Sequence, residues 1–347
     1  MIRNKITILL MISFLLSAEK LSKITNFSIL NVNQGSTSIL FESNEIDIKS
    51  KDGKSKFITN DLIGLTMDEG KPQLPVYSTL FQIDPEKKYD FSFEVLESYY
   101  IENIEFENYK SDENSNYSKY PNEILYVSEP QVWRDVVLNQ IGITPYSYSS
   151  ETKTLEVLKS IKININEIGV SEFEFNLPDK KSRVFEEFYQ SEIVNYERNT
   201  RSDEYQTPSI LYICGGNSCN NGYFEDLVLW RHKQGYEVTV VPTSESGSSE
   251  NAINNYISNA YSTWQNPPEI VGLVGDVGGS YNIACDYYEW GSGWDTYEGA
   301  SDVRYTYIDG NDFLPEVVIG RISADSSSDL NNIINKTIQY EKAIFQT

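Results

Sequence analysis

The sequence predicts an α+β chain in two parts: an N-terminal antiparallel, sandwich-like β domain, then a three-layer α/β domain built on a parallel sheet. Three observations predict it. Short stretches before Pro178 alternate apolar and polar residues, the period of a half-buried strand. After Pro208, strand-like and helix-like stretches alternate, the pattern of a parallel sheet covered by helices on both faces. Between them lies a polar, charged stretch, "NYERNTRSDEYQTP", with little apolar content. The expected domains are 1–18, 19–178, 179–207 and 208–347.

In chain order, "MIRNKITILLMISFLLSAEK" places Arg3 and Lys5 before an apolar run from Ile6 to Leu16, then the small residues Ser17 and Ala18. This reads as a secretory signal peptide over residues 1–18, too short for a membrane span. The protein is therefore expected to be exported, to the medium or the cell surface. In "TLEVLKSIKININE", Leu155, Val157, Ile161, Ile163 and Ile165 share one parity, and Glu156, Ser160, Lys162 and Asn164 take the other. "DFSFEVLESYY" repeats the pattern with Phe91, Phe93 and Val95. Gly53, Gly70-Lys71-Pro72, Pro85, Pro121 and Pro145 punctuate the strands as turns. Residues 179–207 read as an exposed linker, open to proteolytic processing at Arg198 or Arg201.

Beyond the linker, "SILYIC" reads as a strand and about Tyr223 to Gln234 as a helix stopped by Gly235. "YEVTVV" is the next strand. Ser248 or Ser249 caps a helix whose Ile253, Tyr256, Ile257, Ala260, Tyr261 and Trp264 form one apolar stripe. "EIVGLVG" is a buried strand ending at Asp276. "EVVIG" and a helix opened near Ser327 or Ser328, with Leu330, Ile333, Ile334 and Ile338 inward, close the chain. Functional groups on such a sheet belong beyond the carboxyl ends of its strands.

Composition narrows the partners. Of 347 residues, 51 are Asp or Glu against 28 Lys or Arg, a net charge of −23. No basic stripe is present, which argues against nucleic acid and against anionic membranes. Three cysteines, Cys214, Cys219 and Cys285, exclude a disulfide framework. Cys214 and Cys219 have a spacing that permits pairing but does not decide it.

The chemistry is sparse. "ICGGNSCNNG" matches neither GxGxxG nor a phosphate-binding P-loop. Cys214 with His232 is the tempting thiolate–imidazole pair. The helix between them descends about 18 Å toward the opposite edge of the sheet, however, and His232 then serves the helix C-terminus with Arg231 and Lys233. Asp276 stands on the productive rim, where holding loop amides is its simplest role. Asp302, Asp309 and Asp312, with Asn311, gather hard oxygens that suit a structural Ca²⁺, although turn chemistry alone also explains Asp-Gly-Asn-Asp.

Several motifs, in order, resemble the gingipain-type cysteine peptidases: "LVGDV" (273–277), "SDVRYTYIDGNDFLPEVVIGRISA" (301–324) and "NKTIQYEKA" (335–343). "ILYICGG…FEDLVLWRHKQGYEVTVV" resembles the opening of the same caspase-like catalytic domain. "EGKPQLPVYSTLFQI" (69–83) and "VWRDVVLNQIGITPYSYSSETKTLEVLKSIKINI" (132–165) resemble that family's propeptide. The resemblance implies a thiol endopeptidase precursor acting on protein or peptide substrates. Its own propeptide would be the inhibitor, and no cofactor is required for catalysis. The family's catalytic histidine, in a His-Gly context, and its nucleophilic cysteine lie on later strands. No His-Gly pair occurs, so carry-over yields no catalytic residue. The expectation is a chain lacking its reactive half and itself inactive. Two alternatives share the scaffold: a non-catalytic secreted binding or assembly module, and a surface processing peptidase of a secretion system.

Overall fold

The computed structural model describes residues 26–44, 47–59, 63–110, 116–175, 177–198, 204–290, 297–310 and 312–342; the expected signal peptide lies outside them. The chain divides into two compact units. Unit 1 comprises Met1–Gln131, Val137–Phe175 and Phe188–Arg198; unit 2 comprises Val132–Val136, Asn176–Glu187 and Asn199–Thr347.

Unit 1 holds two five-stranded sheets, as the alternating stretches predict. The first contains β1 (Phe27–Asn33), β2 (Ser36–Glu42), β7 (Lys87–Ile101), β11 (Tyr146–Ser149) and β12 (Thr154–Val170). The second contains β5 (Gly64–Leu65), β6 (Pro75–Gln82), β8 (Leu125–Val127), β9 (Gln131–Trp133) and β10 (Val136–Ile143), of which Val132, Trp133 and Val136 fall in unit 2. A small hairpin, β3 (Ile48–Lys51) and β4 (Lys54–Phe57), stands apart. β12 is the spine of the first sheet, pairing antiparallel with β2, β7 and β11. Its Leu155, Val157, Ile161, Ile163 and Ile165 are all buried, each worth about 1.5–3 kcal/mol of transfer free energy. The two sheets meet through aromatic side chains: the Phe41 and Tyr77 rings lie 5.3 Å apart, edge to face.

Two expectations need correction. Phe93 and Val95 on β7 are exposed rather than inward: β7 is a 15-residue strand that, among the described residues, pairs only with β12. Residues 179–207 are not one exposed linker. They contain helix α1 (Arg183–Glu192), which buries Phe185 and Tyr189, four residues apart on one face, followed by buried Ile193. The charged residues between these three hid the stripe. Arg198 is exposed, whereas Arg201 falls outside the described residues.

Unit 2 is a four-stranded, wholly parallel sheet in the order β14-β13-β15-β18. The strands are β13 (Ser209–Cys214), β14 (Glu237–Pro242), β15 (Ile270–Val274) and β18 (Val318–Ile322). The helices are α2 (Gly222–Lys233), the single turn α3 (Thr243–Ser246), α4 (Glu250–Thr263) and α5 (Ser327–Glu341). Alternation along β13 sorts the core into two layers. Leu211 and Ile213 pack with Ile253, Ile257 and Ala260 of α4; Ile210, Tyr212 and Cys214 pack with Phe224 and Leu227 of α2 and Leu330 and Ile334 of α5. Each long helix starts on a side chain that accepts from its first turn: Asn221 from the Phe224 amide, Ser249 from Ala252 and Ser326 from Asp329. A hairpin, β16 (Asp286–Trp290) and β17 (Tyr297–Ser301), and a 3-10 turn (Val303–Thr306) fill the span between β15 and β18.

Candidate functional site

The carboxyl ends of β13, β15 and β18 carry a rim of three cross-tied loops. Cys214, the last residue of β13, forms a disulfide with Cys219. Gly215 donates its amide to the Val274 carbonyl at 3.0 Å. A Cβ on Gly215 would lie 2.1 Å from the Tyr281 carbonyl oxygen, and one on Gly275 1.9 Å from it, so both positions require glycine for close backbone approach. Asp276 holds a loop amide, accepting from Val277 at 2.8 Å. Asp325, beyond β18, accepts from the Ser280 and Tyr281 amides at 2.5 and 3.4 Å.

Arg321 of β18 binds the base of the β16–β17 hairpin. Its Nε and one terminal nitrogen donate to the two oxygens of Asp302 at 2.8 and 2.7 Å. The terminal nitrogens also reach the carbonyls of Gly275, Ile283 and Ala284 at 3.0–3.2 Å. Tyr305 donates its hydroxyl to the Ala284 carbonyl from the other side. Sequence reasoning named Asp302 but missed Arg321 and Asp325. The available signal was a cation inside an otherwise apolar strand, "VVIGRIS".

The rim does not assemble a thiolate–imidazole pair among the described residues. Cys214 and Cys219 are joined to each other, and Cys285 is buried. His232 sits in the last turn of α2, its Nδ1 3.2 Å from the Tyr236 carbonyl, just before β14 begins at the amino edge of the sheet.

Of the expected calcium residues, Asp302 is committed to another partner. Both oxygens of Asp302 are bound by Arg321; Asp309 accepts from the Gly310 amide and Asp312 from Leu314. Among the described residues, no three His, Cys, Asp or Glu side chains are grouped to hold a metal ion.

At the opposite, amino-terminal edge stand two fully buried carboxylates. Glu269, before β15, accepts from the Ser182 hydroxyl at 2.5 Å and the Ser209 amide at 3.1 Å. Burial pushes its carboxyl upward, against the hydrogen bond from Ser182 and the nearby charge of Arg134. Glu316, before β18, accepts from the Ile308 and Asp309 amides with Oε2, while its Oε1 has no partner among the described residues. Burial pushes Glu316 up to about 7. An acid whose folded pKa lies above its unfolded value keeps its proton longer when folded, so this group's contribution falls as pH rises from about 4.5 to about 7. Glu316→Gln keeps an accepting oxygen and removes that slope. Its stability advantage over the parent is expected to grow by about 3 kcal/mol between pH 4.5 and 7. Urea unfolding of both proteins at pH 5 and pH 8 measures it, and an unchanged difference refutes it.

Residues 203–347 match the sequence model of Peptidase family C25, and residues 81–203 match that of Propeptide_C25. Gingipain R1 of Porphyromonas gingivalis is 32% identical over 231 residues, covering 65% of this chain and 22% of the relative. Gingipain R2 of the same organism is 31% identical, covering 65% and 30%. Lys-gingipain is 26% identical over 228 residues, covering 64% and 13%. The chain thus spans less than a third of the length of these relatives. A solved structure, the complex of Porphyromonas gingivalis RgpB pro- and mature domains, aligns with a TM-score of 0.40 at 19% identity, covering 50% of this chain and 98% of that one.

Proposed function

The chain belongs to peptidase family C25, its propeptide followed by its peptidase sequence, and from this we propose that it is the precursor of a secreted cysteine-type endopeptidase. The observation that carries the proposal is the order and extent of the two family matches, which together run from residue 81 to residue 347. The parallel sheet becomes one part of a caspase-like catalytic domain. Its reacting histidine and cysteine are none of His232, Cys214, Cys219 and Cys285, which the structure holds apart in a helix end, a disulfide and a buried position. In the complete enzyme, the histidine takes the thiol proton, the thiolate attacks the peptide carbonyl, and backbone amides hold the oxyanion. The propeptide keeps the enzyme latent until the chain is cut near Arg198 or Arg201. No helix among the described residues is long and apolar enough to cross a membrane.

Alkylation of the natural, full-length product with a radiolabelled haloacetamide tests the proposal. Loss of proteolysis is expected to track labelling of one cysteine other than Cys214, Cys219 and Cys285. Inactivation that tracks labelling of Cys285 instead, or a natural product with no proteolysis to lose, overturns it; the second outcome favours the non-catalytic module.

A structural calcium ion at the Asp309–Asp312 turn is part of the same proposal. Burial raises the Asp312 carboxyl and the charge of Asp309 adds to the shift, a repulsion that a divalent cation would relieve. Chelation is expected to lower the melting temperature of residues 19–347, and an unchanged melt removes the ion.

A further inference from the structure

We propose that the amino-terminal ends of the parallel strands form a guanidinium-binding pocket, distinct from the carboxyl-end rim, and that Arg134 fills it as the anchor of the propeptide. The turn Val132–Val136 lies within the propeptide-matched stretch, yet it is part of unit 2. Arg134 is 1% exposed. One terminal nitrogen donates to the Pro268 carbonyl at 3.1 Å and the Glu316 carbonyl at 2.5 Å; the other donates to Gln206 Oε1 at 2.9 Å. These acceptors come from the residues just before β15, β18 and β13, so one planar fork reads three strand ends. The rings of Phe185 and Tyr261 lie 5.1 and 5.3 Å from the guanidinium carbon.

The backbone of the turn is held as firmly as its tip. Arg134 has φ +54°, a left-handed conformation that a non-glycine residue adopts only where its surroundings impose it. Trp133 donates its indole N–H to the Pro315 carbonyl at 2.9 Å, and Asp135 accepts from the Ser182 amide at 2.6 Å. All three side chains of Trp133-Arg134-Asp135 are therefore committed within unit 2. A lysine would offer a compact charge in place of the fork and could not meet three divergent acceptors together.

The consequence concerns what a cut in the 199–203 stretch achieves. Two of the three segments of unit 2, Val132–Val136 and Asn176–Glu187, stay on the N-terminal fragment after such a cut. Cleavage therefore leaves the propeptide docked, and its release requires the Arg134 pocket to open as a separate step. The idea rests on the precursor reading only for the meaning of the cut, and a foreign cleavage site makes its test independent of native processing.

In the test, a foreign protease site replaces Asn199–Asp203 in residues 19–347, and the cut protein is run on size exclusion in 1 M NaCl. Both fragments are expected to co-elute, since uncharged oxygens and aromatic faces hold the arginine. Arg134→Met and Arg134→Lys, confirmed folded before cutting by circular dichroism, are expected to lose the N-terminal fragment at least 100-fold faster. Immediate separation of the parental fragments, or equal retention in the variants, overturns the anchor. Where a variant fails to fold uncut, a synthetic Gln131–Val137 peptide is added to the cut parent. The arginine peptide is expected to speed fragment release, and its citrulline counterpart to have no effect; equal effects overturn the proposal.

Discussion

Residues 19–347 are expected to cleave casein no faster than buffer does, with or without added thiol. A cysteine peptidase needs an accessible thiolate within hydrogen-bond reach of an imidazole. Here Cys214 and Cys219 are spent on each other and Cys285 is buried. The single histidine faces a backbone carbonyl in the last turn of α2. That helix has 12 residues, so about 18 Å separates its two ends. Loss of nucleophile and base together removes about 10⁶-fold in rate in serine peptidases, and a comparable gap is expected here. Thiol-dependent cleavage by residues 19–347 that vanishes in Cys285→Ser would sink the argument.

Arg321→Met is expected to destabilise residues 19–347 by about 2–4 kcal/mol, somewhat less than the ~3–5 kcal/mol for removing one partner of a fully buried ion pair, because this pair is part-buried. The substitution deletes two bonds to Asp302 and three to the carbonyls of Gly275, Ile283 and Ala284. It also strands Asp302, whose side chain is 19% exposed, beside those carbonyls. For a unit of this size, the melting temperature should fall by about 10 °C. Arg321→Met combined with Asp302→Asn should recover part of the loss, because the stranded charge is then gone. A single-variant loss below about 1 kcal/mol would show that the hairpin base is held by something other than this arginine.

Local pattern makes much of the fold legible. The shared parity along β12 marks five residues that all lie in the core, because strand burial follows a period of two residues. The stripe from Ile253 to Ala260 does the same for α4. Local pattern also misleads. Phe93 and Val95 alternate as a buried strand would, but both are exposed on β7. The Phe185–Tyr189–Ile193 stripe is hidden by its charged neighbours in α1.

Residue order alone was enough for the two-part architecture, the parallel sheet, the Ser249 cap of α4 and the kinship with family C25, since each rests on residues close together or in a fixed order; the caps at Asn221 and Ser326 were not read from it. The partners of Arg321, Arg134, Glu269 and Glu316 exist only in three dimensions. The separation of 182 positions between Arg134 and the Glu316 carbonyl leaves no periodic trace in the chain. The guanidinium finds that oxygen because strands from distant stretches end at the same edge of one sheet, a proximity created by folding.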